Sequence, residues 1–400
     1  MRRTFSSFHY PEFRLLWIGA CASSIGTWMQ AVAQNWLVLD LTNSPRMLGL
    51  DAFLGHIPIF LFSLIGGVIA DRMDRRILLV GSQVAQMSCA LLLATLFALG
   101  RVDVWHILAL SFVVGLAQAF GGPAYSALVP TLVPPKELQN AVALNSIQFN
   151  LARVIGPMLG GAALTTVGAA WCFGLNGLSY IAPIVSLMML RIRQAPARAG
   201  STLFGSLKEG LSFVARSEGL PALIVIAFCM TAFGIPLLVY IPVVVRDVFH
   251  QGPQTFTWLL VTSGAGAILG ALIVAALGQI PNKGQLALLT LAALGVLMAG
   301  FGLSRSLPLS FVLLFLGGVA LMSVFAMISS LVQLLVSDDM RGRVMSVYNV
   351  AFRGGMPFGA LISGELITHS SVGTVLAGNG VALFLIAVWF LVVERRVARL

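Results

Sequence analysis

Charge is scarce in this sequence. Charged residues make up 10% of 400 positions, against about 25% in a soluble globular protein, and this excludes a water-soluble enzyme as the first reading. Cysteine is nearly as sparse. Cys21, Cys89, Cys172 and Cys229 stand singly inside apolar segments, with no CxxC and no spacing suited to a metal, so neither redox nor metal chemistry is expected. The chain lacks HExxH, the nucleophile elbow GxSxG and the phosphate loop GxxxxGK[ST]. These absences argue against a zinc hydrolase, a serine hydrolase and an ATP-driven pump, and no cofactor is expected. The first residues, MRRTFSSFHYPEFRLL, lack the short apolar core and small-residue cleavage site of a signal peptide, so the first helix is expected to be retained.

What the chain has in excess is apolar sequence, 58% of all residues. That is enough for roughly a dozen membrane-crossing helices of about 20 residues each. Twelve apolar stretches can be read: 14–39, 47–70, 77–99, 106–128, 138–167 and 172–190, then 219–245, 255–278, 285–303, 308–336, 344–369 and 373–393. Lipid cannot satisfy exposed backbone N–H and C=O groups, so stretches of this length should be helices. The longest polar interval lies between the sixth and the seventh. The expected fold is an all-α membrane protein of twelve transmembrane helices in two six-helix bundles, residues 1–190 and 219–400, joined by a linker over 191–218.

The formal net charge of +10 would suggest a nucleic-acid partner in a soluble protein. In a membrane protein the position of the basic residues matters more than their sum. Eighteen of the 24 Lys and Arg residues, among them Arg14, Arg72, Arg75, Arg76, Lys136, Lys208, Lys283, Arg341 and Arg395, fall on the side of the termini. Only Arg46, Arg101, Arg246 and Arg305 fall on the other. The positive-inside rule then places both termini and the linker in the cytoplasm, in an inner membrane, with no nucleic-acid partner.

Arg153 and Arg353 are left over, inside apolar stretches. Ser146, Arg153 and Pro157 correspond to Ser346, Arg353 and Pro357 at a constant offset of 200. Such an echo suits transporter folds built from repeats, whose site lies near the bilayer midplane.

Residues 66–76 read GGVIADRMDRR. Through Gly67, Asp71, Arg72, Arg75 and Arg76 this resembles the loop signature G-x-x-x-D-R-x-G-R-R of the major facilitator superfamily, with Asp74 where the family usually has glycine. Arg153 followed by Gly156, Pro157, Gly160 and Gly161 resembles the exporter-associated GPxxGG element, with Ala152 at a position often occupied by glycine. The stretches 28–45 and 132–146 look like the branch that includes the enterobactin exporter and macrolide efflux proteins. The resemblance covers nearly the whole chain and implies export of a substrate by alternating access.

The loop motif also has a physical reading. Asp71 at a helix end would be favoured by the dipole of the eleventh helix, and Arg72, Arg75 and Arg76 could pair with Asp338 and Asp339 to hold a closed cytoplasmic gate. The same arginines could instead bind anionic headgroups.

An ionisable side chain at the bilayer centre costs at least about 2.5 to 3.5 kcal/mol, so each one needs a reason. Asn150 and Arg153 share a helix face, as do Asn349 and Arg353, and Gln30, Gln34, Asn35 and Gln118 extend the polar surface on the first and fourth helices. They could line a substrate cavity, or they could lock helix packing. A buried carboxylate can load and release a proton. The candidates are Asp51, then His56 and Glu365. Gly156, Pro157, Gly160 and Gly161 read as residues for close approach and bending.

The expected function is a secondary active transporter, a proton-coupled antiporter exporting an amphipathic drug or siderophore. The expected partners are that substrate, protons and bilayer lipid, with the monomer as the working unit. The alternatives are a lysophospholipid or metabolite carrier of the same fold, and, from another class, a channel or non-transporting receptor.

Overall fold

In the computed structural model the described residues are 5–190, 203–278 and 281–400, with the side chains of residues 71, 203–208 and 338 outside that description. The described chain is helical throughout. The elements in order are α1 (Pro11–Thr42), α2 (Pro45–Arg72), α3 (Arg75–Ala98), α4 (Val104–Leu128), α5 (Leu138–Thr166), α6 (Ala169–Ser179) and α7 (Ile181–Met189). They continue with α8 (Leu203–Arg216), α9 (Leu220–Gly234), α10 (Pro236–Val239), α11 (Ile241–Asp247), α12 (Pro253–Leu277), α13 (Lys283–Leu303), α14 (Leu307–Leu334), α15 (Asp338–His369) and α16 (Val372–Val392).

Local chemistry marks the boundaries. Asn43 takes a left-handed φ of 50° in the tight turn between α1 and α2, and Pro45 then opens α2 with its φ already set for a helix. Asp103 caps α4, accepting from the Trp105 N–H, while His106 Nδ1 takes the Asp103 N–H. Gly168 and Gly219 supply the positive φ that starts α6 and α9.

Among the described residues ten helical segments are long and apolar enough to cross a membrane, counting α6 with α7 and α9 with α10 as single segments. The two long helices outside that set are α5 and α15, because their first halves are rich in Asn, Gln, Ser and Arg. Large apolar side chains such as Ile18, Leu61, Trp171, Leu272 and Leu385 stand exposed on the surface, an outward face that only lipid would solvate.

The described residues form two compact units, one from residues 5–42 and 54–190, the other from residues 43–53 and those described from 203 on. In the first unit α1 packs on α5, α6 and α7, and α3 packs on α4 and α6. One end holds an apolar core of Phe13, Leu16, Leu79, Leu128, Leu144 and Leu187. In the second unit α9 packs on α15 and α16, α13 on α14 and α16, and α12 on α14. One arginine helix, α5, thus packs on α1 in the first unit and the other, α15, on α9 in the second.

Three boundaries differ from the sequence reading. The stretch 219–245 is broken, with Pro236 and Pro242 opening α10 and α11 after interruptions at Ile235 and Tyr240. The eleventh stretch begins at Asp338 and not at 344, which puts Arg353 at the middle of its helix. The interval 191–218 contains α8, whose Gly210 packs on α15 and whose Glu209 pairs with Arg343 at 3.0 Å.

Candidate functional site

The two arginine helices are seated by glycine. On α5, Gly156 and Gly160 lie against the α1 backbone, where a Cβ at 160 would come 2.7 Å from the Met29 carbonyl oxygen and one at 156 would come 2.8 Å from that of Ile25. On α15, Gly355 and Gly359 meet the backbone of Phe228 and Ala232 on α9. The sequence reading singled out the first pair and missed the second, although its i, i+4 glycine spacing is the same close-packing signal. α5 runs unbroken through Pro157, and α15 through Pro357.

This seating fixes where the arginines sit. Arg153 is half-buried at mid-helix with its guanidinium carbon 5.9 Å from the centre of the Trp28 ring on α1. The ring face carries negative potential, so the cation has a partner in an apolar setting. Trp28 is itself held edge-on by Phe149, with centroids 6.1 Å apart. One turn before Arg153, Asn150 donates to the Ser146 carbonyl oxygen at 2.8 Å, and its own Oδ1 is buried with no hydrogen-bonding partner among the described residues. Arg353 and Asn349 are exposed on α15 and make no hydrogen bond to a described residue.

Gln30, Gln34 and Gln118 belong to a hydrogen-bonded network inside the first unit. Asn176 donates to Gln30 at 2.7 Å, Gln30 to Gln34 at 3.2 Å, and Gln34 to the Ser111 hydroxyl at 2.9 Å. A second branch centres on Gln86, whose Oε1 accepts from Gln118 and from the Tyr180 hydroxyl, each at 3.3 Å. Tyr180 also bonds Thr27 at 3.1 Å. These bonds tie α1, α3, α4 and the α6–α7 segment together with uncharged groups, which satisfies polar atoms that lipid could not. Asn35 is half-buried outside this network. Gln86, Asn176 and Tyr180 are network members that the sequence reading did not single out, and their lone polar side chains on otherwise apolar helices were the available signal.

At the loop motif, Arg75 donates to the carbonyl oxygens of Ala70 at 3.3 Å and Ala127 at 2.9 Å, where α2 and α4 end. Arg76 donates to those of Met188 at 2.5 Å and Leu190 at 3.4 Å, where α7 ends. Cations at helix C-termini meet unsatisfied carbonyls and the negative end of the dipole. Asp74 is the N-cap of α3, accepting the Arg76 N–H at 2.8 Å with an ordinary φ of −61°. The turn therefore has no need of the family's usual glycine. A Cβ at Gly67 would meet open space. Arg72 and Asp339 are exposed, while the side chains of Asp71 and Asp338 lie outside the described residues.

Among the described residues Asp51 is the only buried acid, 5% exposed on α2. His56 is exposed one turn on. Glu365 pairs with Arg46 at 3.0 Å and with His369 at 3.3 Å, all three well exposed at the end of α15. No group of three or more His, Cys, Asp and Glu side chains suited to a metal occurs among the described residues.

Long apolar helices with lipid-suited outer faces mark a multi-pass membrane protein. The profile of the family described as transmembrane secretion effector matches residues 2–399, and the chain belongs to this family of major facilitator transporters. It is 25% identical over 389 residues to the multidrug efflux pump Tap of Mycolicibacterium fortuitum, covering 94% of this chain and 93% of that one. It is 21% identical to macrolide efflux protein A of Streptococcus pyogenes over 94% of both chains. It is 25% identical to the enterobactin exporter EntS of Shigella boydii over 96% of this chain and 92% of the other. Among solved structures, a D-xylose-proton symporter superposes with a TM-score of 0.76 at 13% identity, over 95% and 97% of the two chains. The chain is thus a transporter homologous to drug, macrolide and siderophore efflux pumps, and not an enzyme.

Proposed function

We propose that the protein is a proton-coupled exporter of an amphipathic small molecule, a drug or siderophore, working by alternating access as a monomer in the cytoplasmic membrane. In this reading α5 and α15 also cross, giving twelve spans in bundles of residues 1–190 and 219–400, with the 191–218 interval and both termini in the cytoplasm. The observation that carries it is the pairing of Arg153 and Arg353. Each stands at the middle of a long helix seated by two glycines on a neighbouring helix of its unit, α1 for α5 and α9 for α15, and a mid-membrane cation is retained where it meets solute or water. The names of the relatives support efflux as the direction.

Asp51 is our coupling residue, since a carboxyl group shut away from bulk water exchanges its proton only when a conformational change exposes it. Glu365, held by Arg46 and His369 at an exposed helix end, is a weaker candidate, and His56 is left exposed. Asp71, Arg72, Arg75, Arg76, Asp338 and Asp339 are proposed as the cytoplasmic gate on their sequence pattern, with the carbonyl-capping bonds of Arg75 and Arg76 holding the loop in shape.

The test is reconstitution in liposomes with an imposed pH gradient and a panel of amphiphiles bearing drug-like and catecholate groups. Saturable accumulation that needs the gradient and falls at least tenfold in Arg153→Ala and Arg353→Ala supports the reading. Flux that neither saturates nor responds to these substitutions would indicate a channel.

A further inference from the structure

The second unit contains a recess of about 380 Å³ where α14 ends and α15 begins, lined in part by Phe325, Ser329, Ser330, Gln333 and Arg341. Its lining is chemically mixed. Phe325 lies tilted against Phe352 with ring centroids 4.9 Å apart, and Phe352 in turn lies 6.2 Å from Tyr348, so Phe325 joins the recess to an aromatic cluster. The rest of the lining includes two hydroxyls, an amide and a guanidinium. A second cation is close by, since Lys283, the first residue of α13, donates from Nζ to the Ser330 hydroxyl at 2.9 Å. That is its one bond among the described residues, and no acid there faces it.

Behind the wall lies an unsatisfied donor. Tyr348 is 1% exposed, its hydroxyl sits beside Ser329, and it makes no hydrogen bond among the described residues. A buried hydroxyl left this way is costly, so its environment should supply an acceptor in some state of the protein. If Ser329 donates its proton outward to an anionic oxygen, its lone pair turns to Tyr348 and the orphan is satisfied. An anion in the recess would then be met by Lys283, Arg341, Ser329 and Ser330 together.

We propose that this recess binds the anionic head of an amphiphile, a phosphate or carboxylate, with the apolar body against Phe325, Ala326 and Leu334. The proposal rests on the exporter reading and narrows its substrate class to anionic amphiphiles. The same chemistry is presented by an anionic bilayer lipid, and the experiment separates the two.

Binding of dodecyl phosphate to the full chain, in nanodiscs of phosphatidylcholine, should be measured by microscale thermophoresis beside inorganic phosphate and dodecyltrimethylammonium. Saturable binding of dodecyl phosphate is expected, with the other two much weaker. Lys283→Gln and Arg341→Gln should each weaken it about fivefold, a cation near an anionic group being worth about that factor. Lys283→Arg should restore binding, and Tyr348→Phe should weaken it while both cations remain. Equal binding of the cationic amphiphile, or indifference to both charge substitutions in protein that elutes as a monodisperse peak, would overturn the site. Displacement by phosphatidylglycerol without transport of dodecyl phosphate identifies a resident lipid, and gradient-driven transport identifies a substrate. Because binding is read without flux, a chain that binds but moves nothing refutes the exporter reading alone, and a chain that exports yet fails the charge test refutes the recess alone.

Discussion

The Arg153 guanidinium lies over the indole of Trp28, 5.9 Å from its centre, linking the polar helix of the first unit to its opening helix. A cation facing an aromatic ring in apolar surroundings gains about 0.5 to 2 kcal/mol. Trp28→Leu should therefore lower the melting temperature of the purified protein by a few degrees and reduce efflux, while Trp28→Phe keeps most of both. If Trp28→Leu matched the parent in melting and flux, the ring would have no part in holding Arg153.

The glycine seats make a steric prediction. Gly160→Val and Gly359→Val place side chains into the backbones of Met29 and Ala232, and overpacking of this kind costs about 1–3 kcal/mol or more. Both should reduce folded yield by fluorescence-detected size exclusion. Gly67→Ala, facing open space, should fold like the parent. A normal yield for both valine variants would mean that the close helix contacts do not carry stability.

Asp74 stands where related chains usually have glycine, and its role as N-cap sets the size of the effect. Asp74→Ala should cost about 1 kcal/mol, and Asp74→Gly only a few tenths. Thermal unfolding of the two variants side by side checks the order. Asp74→Gly being the more damaging would contradict the assigned cap.

The two candidate acids differ in setting, and this separates their substitutions. Asp51→Asn should abolish gradient-dependent export while leaving substrate binding, because the amide keeps shape but not the proton. Glu365→Gln should retain coupling and lose only the exposed pairs to Arg46 and His369, each worth at most about 1 kcal/mol. Proton release on substrate addition, followed with a pH dye, distinguishes these outcomes. Unchanged release in Asp51→Asn would exclude that residue.

The Gln86 hub provides the last prediction. Gln86→Leu leaves Gln118 and the Tyr180 hydroxyl without their shared acceptor. The average worth of such bonds in membrane proteins is about 0.6 kcal/mol each, so a loss of about 1 kcal/mol is expected in unfolding by a denaturing detergent. A gain in stability on making the substitution would show that the network serves transport and not packing.

Much of the fold was legible in the chain because the bilayer leaves few choices. A segment of some 20 apolar residues has only the helix open to it, so α1–α4, α12–α14 and α16 follow from composition with ends off by a few residues. The loop motif and the repeat of Arg153 at Arg353 were likewise readable as patterns. The breaks at Ile235 and Tyr240 were not, because the apolar run continues across them and only the prolines hint at a bend.

What tertiary structure alone decided is the partner of each polar group. Periodicity puts Gln30 and Gln34 on one face of α1, yet it cannot say whether that face meets water or Asn176 and Ser111, because a hydrogen bond between distant helices leaves no local trace. Nor can it say that Arg75 and Arg76 cap helix ends 52 and 112 or more residues away, or that Asp51, near the start of its helix, is the acid closed off from solvent. The sequence determined which segments are apolar enough to be helices in a bilayer and which residues would be expensive there. Three-dimensional packing determined which of those residues found partners within their own unit, as Gln30 and Gln34 do through Asn176 and Ser111.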